Sequence, residues 1–291
     1  MSNSILTFLN SVVLYSIPLL YASLGVLFME VAGVVNMGAE GMMIIGSLVG
    51  IMASNAFGNV WAGALIAMLA AGAFGALFGF LVIELRINQV VLGVAFNLAG
   101  YGLTTTLNRA FSVDGIILKC TYFKDALGFY PPVYIGLGLV ALVWIILYKT
   151  NFGIQLRSVG ENPMVVECMG ISVKRLRYTA CIIGAMLVGF GGSFLSTGLL
   201  SRYAEQMTDG RGYIALAAVT FGKYTPIGTL AGVLIFGAGD TLSLRLQAGG
   251  SGFPYQIALM IPYVLTVVAL CFFSHNVHDP ASLGVPYTKN R

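Results

Sequence analysis

The chain has 291 residues, of which 58% are hydrophobic and only 9% are charged, and its formal net charge is +4. Soluble domains carry roughly 25% charged residues, so this composition excludes a soluble globular protein and indicates a polytopic membrane protein. We expect one all-α transmembrane domain over residues 1–291, with room for eight or nine spans of ~20 residues each. The charge gives no reason to expect nucleic-acid binding.

The apolar segments divide the chain in order. Spans are predicted at about 11–29, 60–83, 89–107, 132–148, 178–199, 227–246 and 255–273, and a further span ends near residue 57. Gly72, Gly75 and Gly79 in the 60–83 span permit close packing of a neighbouring helix.

Two polar, glycine-rich segments interrupt this pattern, around residues 36–41 and 208–212. Irregular backbone at membrane depth is tolerated only inside protein or beside a water-filled cavity. The first segment is therefore either a break within a span or a plain cytoplasmic turn. Gly38–Gly50 and Gly210–Gly222 also resemble each other, which is typical of a repeat with a site near the bilayer midplane.

These interruptions predict a translocation pathway. Helix N-termini carry partial positive charge, and together with the amides of Asn36 and Asn97 they suit a neutral solute with hydroxyl or carbonyl oxygens. Glu40 and Arg211 either pair across the pathway or anchor separately at the membrane edge. Asp240 is ionisable within a span and is therefore also a candidate. The predicted pathway residues are Asn36, Glu40, Asn97, Asp209, Arg211 and Asp240.

The longest polar and basic interruption, residues 150–177, contains a short helix marked by its boundary residues. Asn162 is a good N-cap, Pro163 suits the first helical position, and Gly170 suits the left-handed position past the end. An isolated helix of two turns is unstable in water. It therefore docks either on its own bundle or in a groove of a soluble partner.

The basic residues favour a cytoplasmic location for the 150–177 loop, and by alternation for the tail, residues 274–291. The side of the N-terminus depends on whether the second span crosses fully. No P-loop, GxSxG or HExxH motif occurs, so neither catalysis nor ATP hydrolysis is expected, and neither a metal nor a cofactor is predicted. His275 and His278 are expected in a solvated tail.

Several motifs resemble one family of membrane proteins. GENPMVVECMGI, VAGVVNMGAEGMM, GRGYIALAAVTFGKYTPIGTLAGVLIFG and the tail segment ASLGVPY are similar to permease subunits of ABC importers of the ribose, simple-sugar, nucleoside and branched-chain amino acid type. LRINQVVLGVAFNLAGYGLTTTLNR is most similar to the nucleoside and simple-sugar branch. Val166 and Cys168 depart from the family pattern, in which small residues are common.

The resemblance implies a fold like that of the vitamin B12 permease and a location in the bacterial cytoplasmic membrane. It implies four kinds of partner: a second permease subunit, identical or related, ATPase subunits on the cytoplasmic face, an extracytoplasmic solute-binding protein, and membrane lipid. The residues implied to couple to the ATPase are Gly160, Glu161, Asn162, Pro163, Glu167 and Gly170. A nucleoside is the favoured solute, followed by a simple sugar and a branched-chain amino acid, with a secondary transporter as the distant alternative.

Overall fold

The computed structural model describes residues 2–111, 123, 128–248 and 278–287, together with isolated helical positions between 257 and 268. Within these ranges the chain is almost entirely helical. The helices are α1 (Ser2–Val31), α2 (Ala39–Phe57), α3 (Val60–Ile83), α4 (Gln89–Phe111), α5 (Pro131–Lys149), α6 (Asn151–Glu161), α7 (Pro163–Cys168), α8 (Val173–Phe194), α9 (Arg211–Phe221) and α10 (Pro226–Ala248). A π-helical turn, Leu195–Leu199, extends α8.

In the part of the chain that the structure describes, seven helices are long and apolar enough to cross a membrane: α1 to α5, α8 and α10. The expected all-α, polytopic architecture is therefore confirmed. The expected last span, 255–273, lies mostly outside the described residues, as do His275 and most of the loop between α4 and α5. The total of eight or nine spans stays a prediction.

Helix α8 lies at the centre of the bundle, where α1, α2 and α3 all pack against it. Glycine makes these contacts close. A Cβ atom on Gly75 of α3 would lie 2.2 Å from the Cβ of Ala185 and 2.8 Å from the carbonyl oxygen of Cys181. The close packing predicted for the glycines of this span is therefore present at Gly75.

Both polar interruptions are real breaks in helical structure. Residues 32–38 link α1 to α2 without forming a helix, and α2 is continuous from Ala39 onward, so the break precedes the span. This turn is largely buried, which a plain surface turn would not be. Helix α9 has 11 residues. At 1.5 Å per residue it is ~16 Å long, about half of the ~30 Å hydrocarbon core.

Helices α6 and α7, the 222–225 turn and the segment 278–287 gather at one end of the bundle, which we term the α7 end. Helix α8 begins there at Val173, five residues earlier than expected, so Lys174, Arg175 and Arg177 belong to the helix. The tail is likewise not simply solvated, because Ser282 is buried against the bundle. The hydrogen bonds that Ser282 makes to backbone carbonyls could not be predicted from the residue pattern.

Candidate functional site

The short helix α7 forms as its boundary residues predict. The Asn162 side chain accepts a hydrogen bond from the Val165 N–H at 3.2 Å, and Pro163 occupies the first helical position. Gly170 follows the helix with φ +81°, the left-handed conformation that glycine adopts most readily. Three local signals within nine residues therefore fix both ends of this helix.

Helix α7 presents an apolar surface outward. Val166 is buried against the bundle at 3% exposure, whereas Met164, Val165 and Met169 are 49%, 54% and 73% exposed. This outward set, Met164, Val165 and Met169, is termed the α7 face. Val165 and Met169 also line a groove of about 510 Å³ between α6, α7, the 222–225 turn and the tail. Val166 therefore docks on the chain's own bundle, whereas the described residues leave the α7 face exposed, and docking of that face on a soluble partner stays a prediction.

The other predicted coupling residues hold α7 in place. Gly160 lies against α1 so closely that a Cβ atom would sit 2.1 Å from the carbonyl oxygen of Val31. Glu161 accepts a hydrogen bond from the Ala281 N–H at 3.5 Å, and Glu167 accepts one from the Tyr287 hydroxyl. Both carboxylates therefore bond to the tail, and Glu161 also lines the groove.

The second feature is a junction where the two breaks meet, built around Glu40 at the start of α2. Its carboxylate accepts three hydrogen bonds: from the Tyr101 hydroxyl at 2.8 Å and from the backbone N–H groups of Gly210 at 2.9 Å and Gly212 at 2.6 Å. Glu40 is completely buried. Because the first N–H groups of a helix have no partner within it and carry partial positive charge, Glu40 caps α9 from another helix.

Asn97 of α4 binds the same junction from the other side. Its Oδ1 accepts a hydrogen bond from the Gly41 N–H at 2.8 Å, and its Nδ2 donates to the Met37 carbonyl at 2.8 Å and to the Tyr213 hydroxyl at 2.6 Å. One amide thus connects α2, α4 and α9. We term the set Glu40, Asn97, Tyr101 and Tyr213 the junction network.

The sequence-based picture of the junction needs two corrections. The amides of Asn36 and Asn97 were expected to face solute, but they are 0% and 3% exposed and are bonded within the protein. The N-terminus of α9 is likewise occupied by Glu40 rather than open. Burial explains both differences, because polar groups removed from water are satisfied by whichever protein groups lie nearest.

Arg211 pairs with Asp240 of α10 rather than with Glu40. Its Nη2 lies 3.5 Å from a carboxylate oxygen of Asp240, and both side chains are about one-fifth exposed. Its Nη1 donates to the carbonyl oxygens of Met207 and Thr208. Asp209 is exposed and has φ +45°. Three predicted pathway residues therefore lie at the rim of the junction and three lie inside it.

Tyr101 and Tyr213 were not predicted as part of this site. Tyr101 lies four residues after Asn97, so both side chains lie on one face of α4. That spacing is a signal that the sequence does contain. The sequence contains no comparable spacing for Tyr213, because its partner Asn97 is distant in the chain and comes close only in the folded protein.

The family was identified by comparison with known proteins. A family model described as the permease component of branched-chain amino acid transport systems matches residues 8–270. The chain belongs to this family. This chain is similar to the guanosine ABC transporter permease protein NupQ of Bacillus subtilis, with 34% identity over 95% of both chains. It is 29% identical to the nucleoside ABC transporter permease protein NupC of Lactococcus lactis over 99% of both.

A third relative has a different printed substrate. The permease component is 37% identical to the putative glucose ABC transporter permease protein TsgC13 of Haloferax volcanii, over 82% of this chain and 78% of that protein. No solved structure gives a significant match. The nearly full-length coverage by the nucleoside permeases includes both the junction and α7.

Proposed function

We propose that this chain is the permease subunit of an ABC importer for nucleosides. The observation that carries the proposal is the similarity to guanosine and nucleoside permeases over 95% and 99% of the chain. A simple-sugar importer is the second candidate, favoured by the 37% identity to a glucose permease. Nucleosides and sugars share the ring hydroxyls that one polar route has to accept.

The charges around the junction support a neutral solute. Glu40 is neutralised by the N-terminus of α9, and Arg211 and Asp240 lie beside each other. A zwitterionic amino acid needs countercharges for its ammonium and carboxylate groups, and the paired groups would have to separate to supply them. A nucleoside needs only hydrogen-bonding partners.

The translocation pathway, on this proposal, passes the rim of the junction. Tyr213 is 45% exposed and Asp209, Arg211 and Asp240 remain in reach of solvent, so these side chains contact the passing solute. Asn36, Glu40 and Asn97 lie one layer behind. Glu40 and Asn97 hold the two breaks together, and Asn36 bonds within the first break. The pathway then binds solute weakly, as release requires, and a separate extracytoplasmic binding protein supplies affinity.

The energy source, on this proposal, is a separate ATPase subunit that docks on the α7 face in the bacterial cytoplasm. Exposed apolar residues at a polar end of a membrane protein are typical of a protein interface. The C-terminus then also lies in the cytoplasm, because the 278–287 segment is at the α7 end. A second permease subunit, either identical or related, completes the pathway.

Solute identity is tested by uptake in cells with and without the gene for this chain. We expect loss of labelled guanosine uptake in the deletion strain, and in the parent strain competition by unlabelled nucleosides but neither by glucose nor by leucine. Competition by glucose alone would assign the sugar alternative.

ATPase docking is tested by co-purification of the ATPase subunit with Met164→Asp and Val165→Asp, each of which places a charge in the α7 face. The matched control is Leu85→Asp, at a residue 57% exposed in the α3–α4 turn, outside the α7 face. We expect both α7 variants to lose the subunit and the control to retain it. Equal retention by all three would reject docking at α7.

A further inference from the structure

Arg177 is a buried cation with no carboxylate partner among the described residues. It is 2% exposed, and its three hydrogen bonds go to neutral oxygens. Nε donates to the Ala32 carbonyl at 3.2 Å, Nη1 to the Val285 carbonyl at 3.2 Å, and Nη2 to the Ser282 hydroxyl at 3.4 Å. Burying a charge is costly even when it is bonded. Arg177 thereby joins α8 to the α1–α2 break and to the tail.

Ser282 binds the tail to the segment that precedes α7. Its backbone N–H donates to the Gly160 carbonyl at 2.8 Å, and its hydroxyl lies 2.6 Å from the same oxygen and 3.0 Å from the Val159 carbonyl. Two residues on, the Gly284 N–H donates to the Gly33 carbonyl at 3.2 Å. The tail therefore bridges the end of α6 and the first residues after α1.

Tyr287 binds the other end of the tail to α7 itself. Its hydroxyl donates to the Glu167 carboxylate. Partial burial first, and then this bond, raise the pKa of Tyr287 to about 12. Segment 281–287, with Arg177, Glu167 and Gly33, is termed the tail clamp.

The α1–α2 break leads from the tail clamp to the junction network. The Gln89 side chain accepts the Val35 N–H at 2.7 Å, and the Asn36 side chain accepts the Gly38 N–H at 3.1 Å. Glu40 follows two residues later and caps α9. The tail bonds at Glu167 and Gly33, the backbone from Gly33 to Glu40, and the bonds of Glu40 to α9 therefore connect α7 to the start of α9.

We propose that the tail clamp is the mechanical link that transmits movement of α7 to the junction network, with Arg177 as its central positioning residue. The proposal rests on the proposed function, because it takes α7 as the docking site of the ATPase subunit. Packed elements transmit a movement between two sites when each element can adopt two discrete arrangements. Binding at either site must then change the balance between those arrangements. The clamp is suited to this because it fastens α7 and the break to one short segment.

The test uses the complete transporter with Tyr287→Phe, which removes only the bond to Glu167, and with Ser282→Ala, which removes the hydroxyl contacts. A reporter thiol from Val35→Cys, with the natural cysteines replaced, measures movement at the break as the ATP-dependent change in its labelling rate. We expect each variant to reduce both the labelling change and the ATP-driven uptake by about fivefold or more. We expect the ATPase subunits to co-purify with each variant in normal amount.

Two controls lie outside the clamp: Tyr15→Phe, which removes another hydroxyl, and Arg175→Gln, at an exposed position of α8. They are expected to keep the labelling change, whereas Arg177→Gln loses it. Labelling changes within twofold of the unmodified protein in Tyr287→Phe and Ser282→Ala would overturn the proposal. Loss of the ATPase subunits from both variants would also overturn it, because the tail would then be part of the docking surface. Failure of the unmodified chain to bind ATPase subunits would instead reject the proposed function.

Discussion

Replacing Glu40 by glutamine removes the charge that caps α9 while keeping the side-chain shape. The carboxylate accepts bonds from two backbone N–H groups of α9 and from one hydroxyl, and it is completely buried. The amide that replaces it has one acceptor oxygen, so its NH₂ group faces either the Gly210 N–H or the Gly212 N–H. One buried backbone donor is then left without a partner.

The magnitude follows from these contacts. A buried N–H group without a partner costs about 1–3 kcal/mol, and loss of the negative charge at a helix N-terminus adds about 0.3–1 kcal/mol. We expect Glu40→Gln to lower the free energy of unfolding by about 1.3–4 kcal/mol. Tyr101→Phe removes a single hydrogen bond to the same carboxylate, and it should lower the free energy of unfolding by about 1.5–3 kcal/mol.

The assay is thermal or denaturant unfolding of the purified protein in one detergent, with Glu205→Gln as the matched control. Glu205 pairs with Arg109 at 3.4 Å, and both side chains are well exposed. Such pairs contribute about 0–1 kcal/mol. A Glu40→Gln transition that coincides with that of Glu205→Gln would refute the capping role assigned to Glu40.

Three further predictions concern the junction and α7. Gly212→Ala should prevent accumulation of folded protein, because the new Cβ would lie 2.4 Å from the Glu40 backbone nitrogen, and the loss should be seen in the monodisperse chromatographic peak. The control Gly102→Ala should behave normally, because no atom lies within 4 Å of its Cβ position. Gly170→Val should uncouple ATP hydrolysis from transport in proteoliposomes, since φ +81° is unfavourable for a β-branched residue; unchanged uptake and solute-stimulated hydrolysis would count against it. Asp240→Asn should reduce uptake at normal assembly, because Arg211 loses its carboxylate; full uptake would make the pair merely structural.

Helix α7 could be predicted from sequence because its determinants are local. Asn162, Pro163 and Gly170 each act on backbone within a few residues, and the apolar residues between them require a docking partner. The polar breaks were also recognisable, because Glu40 and Arg211 interrupt long apolar segments. Local chemistry therefore indicated where the unusual segments lie.

The partners within those segments could not be predicted, because they are set by the fold. Glu40 bonds to the N–H of Gly210, 170 residues away, and Ser282 bonds to the Gly160 carbonyl, 122 residues away. Every residue other than proline offers the same backbone donor and acceptor, so no residue pattern marks these partners. The pairing of Arg211 with Asp240 likewise required the packing of α9 on α10.

The most direct measurement is nucleoside uptake into proteoliposomes that contain this permease subunit, its ATPase subunits and its binding protein, with and without ATP. We expect labelled guanosine to accumulate only when ATP is present on the side of the α7 end, and neither labelled glucose nor labelled leucine to accumulate. Equal guanosine uptake without ATP, or ATP-driven accumulation of glucose or leucine in its place, would contradict the account.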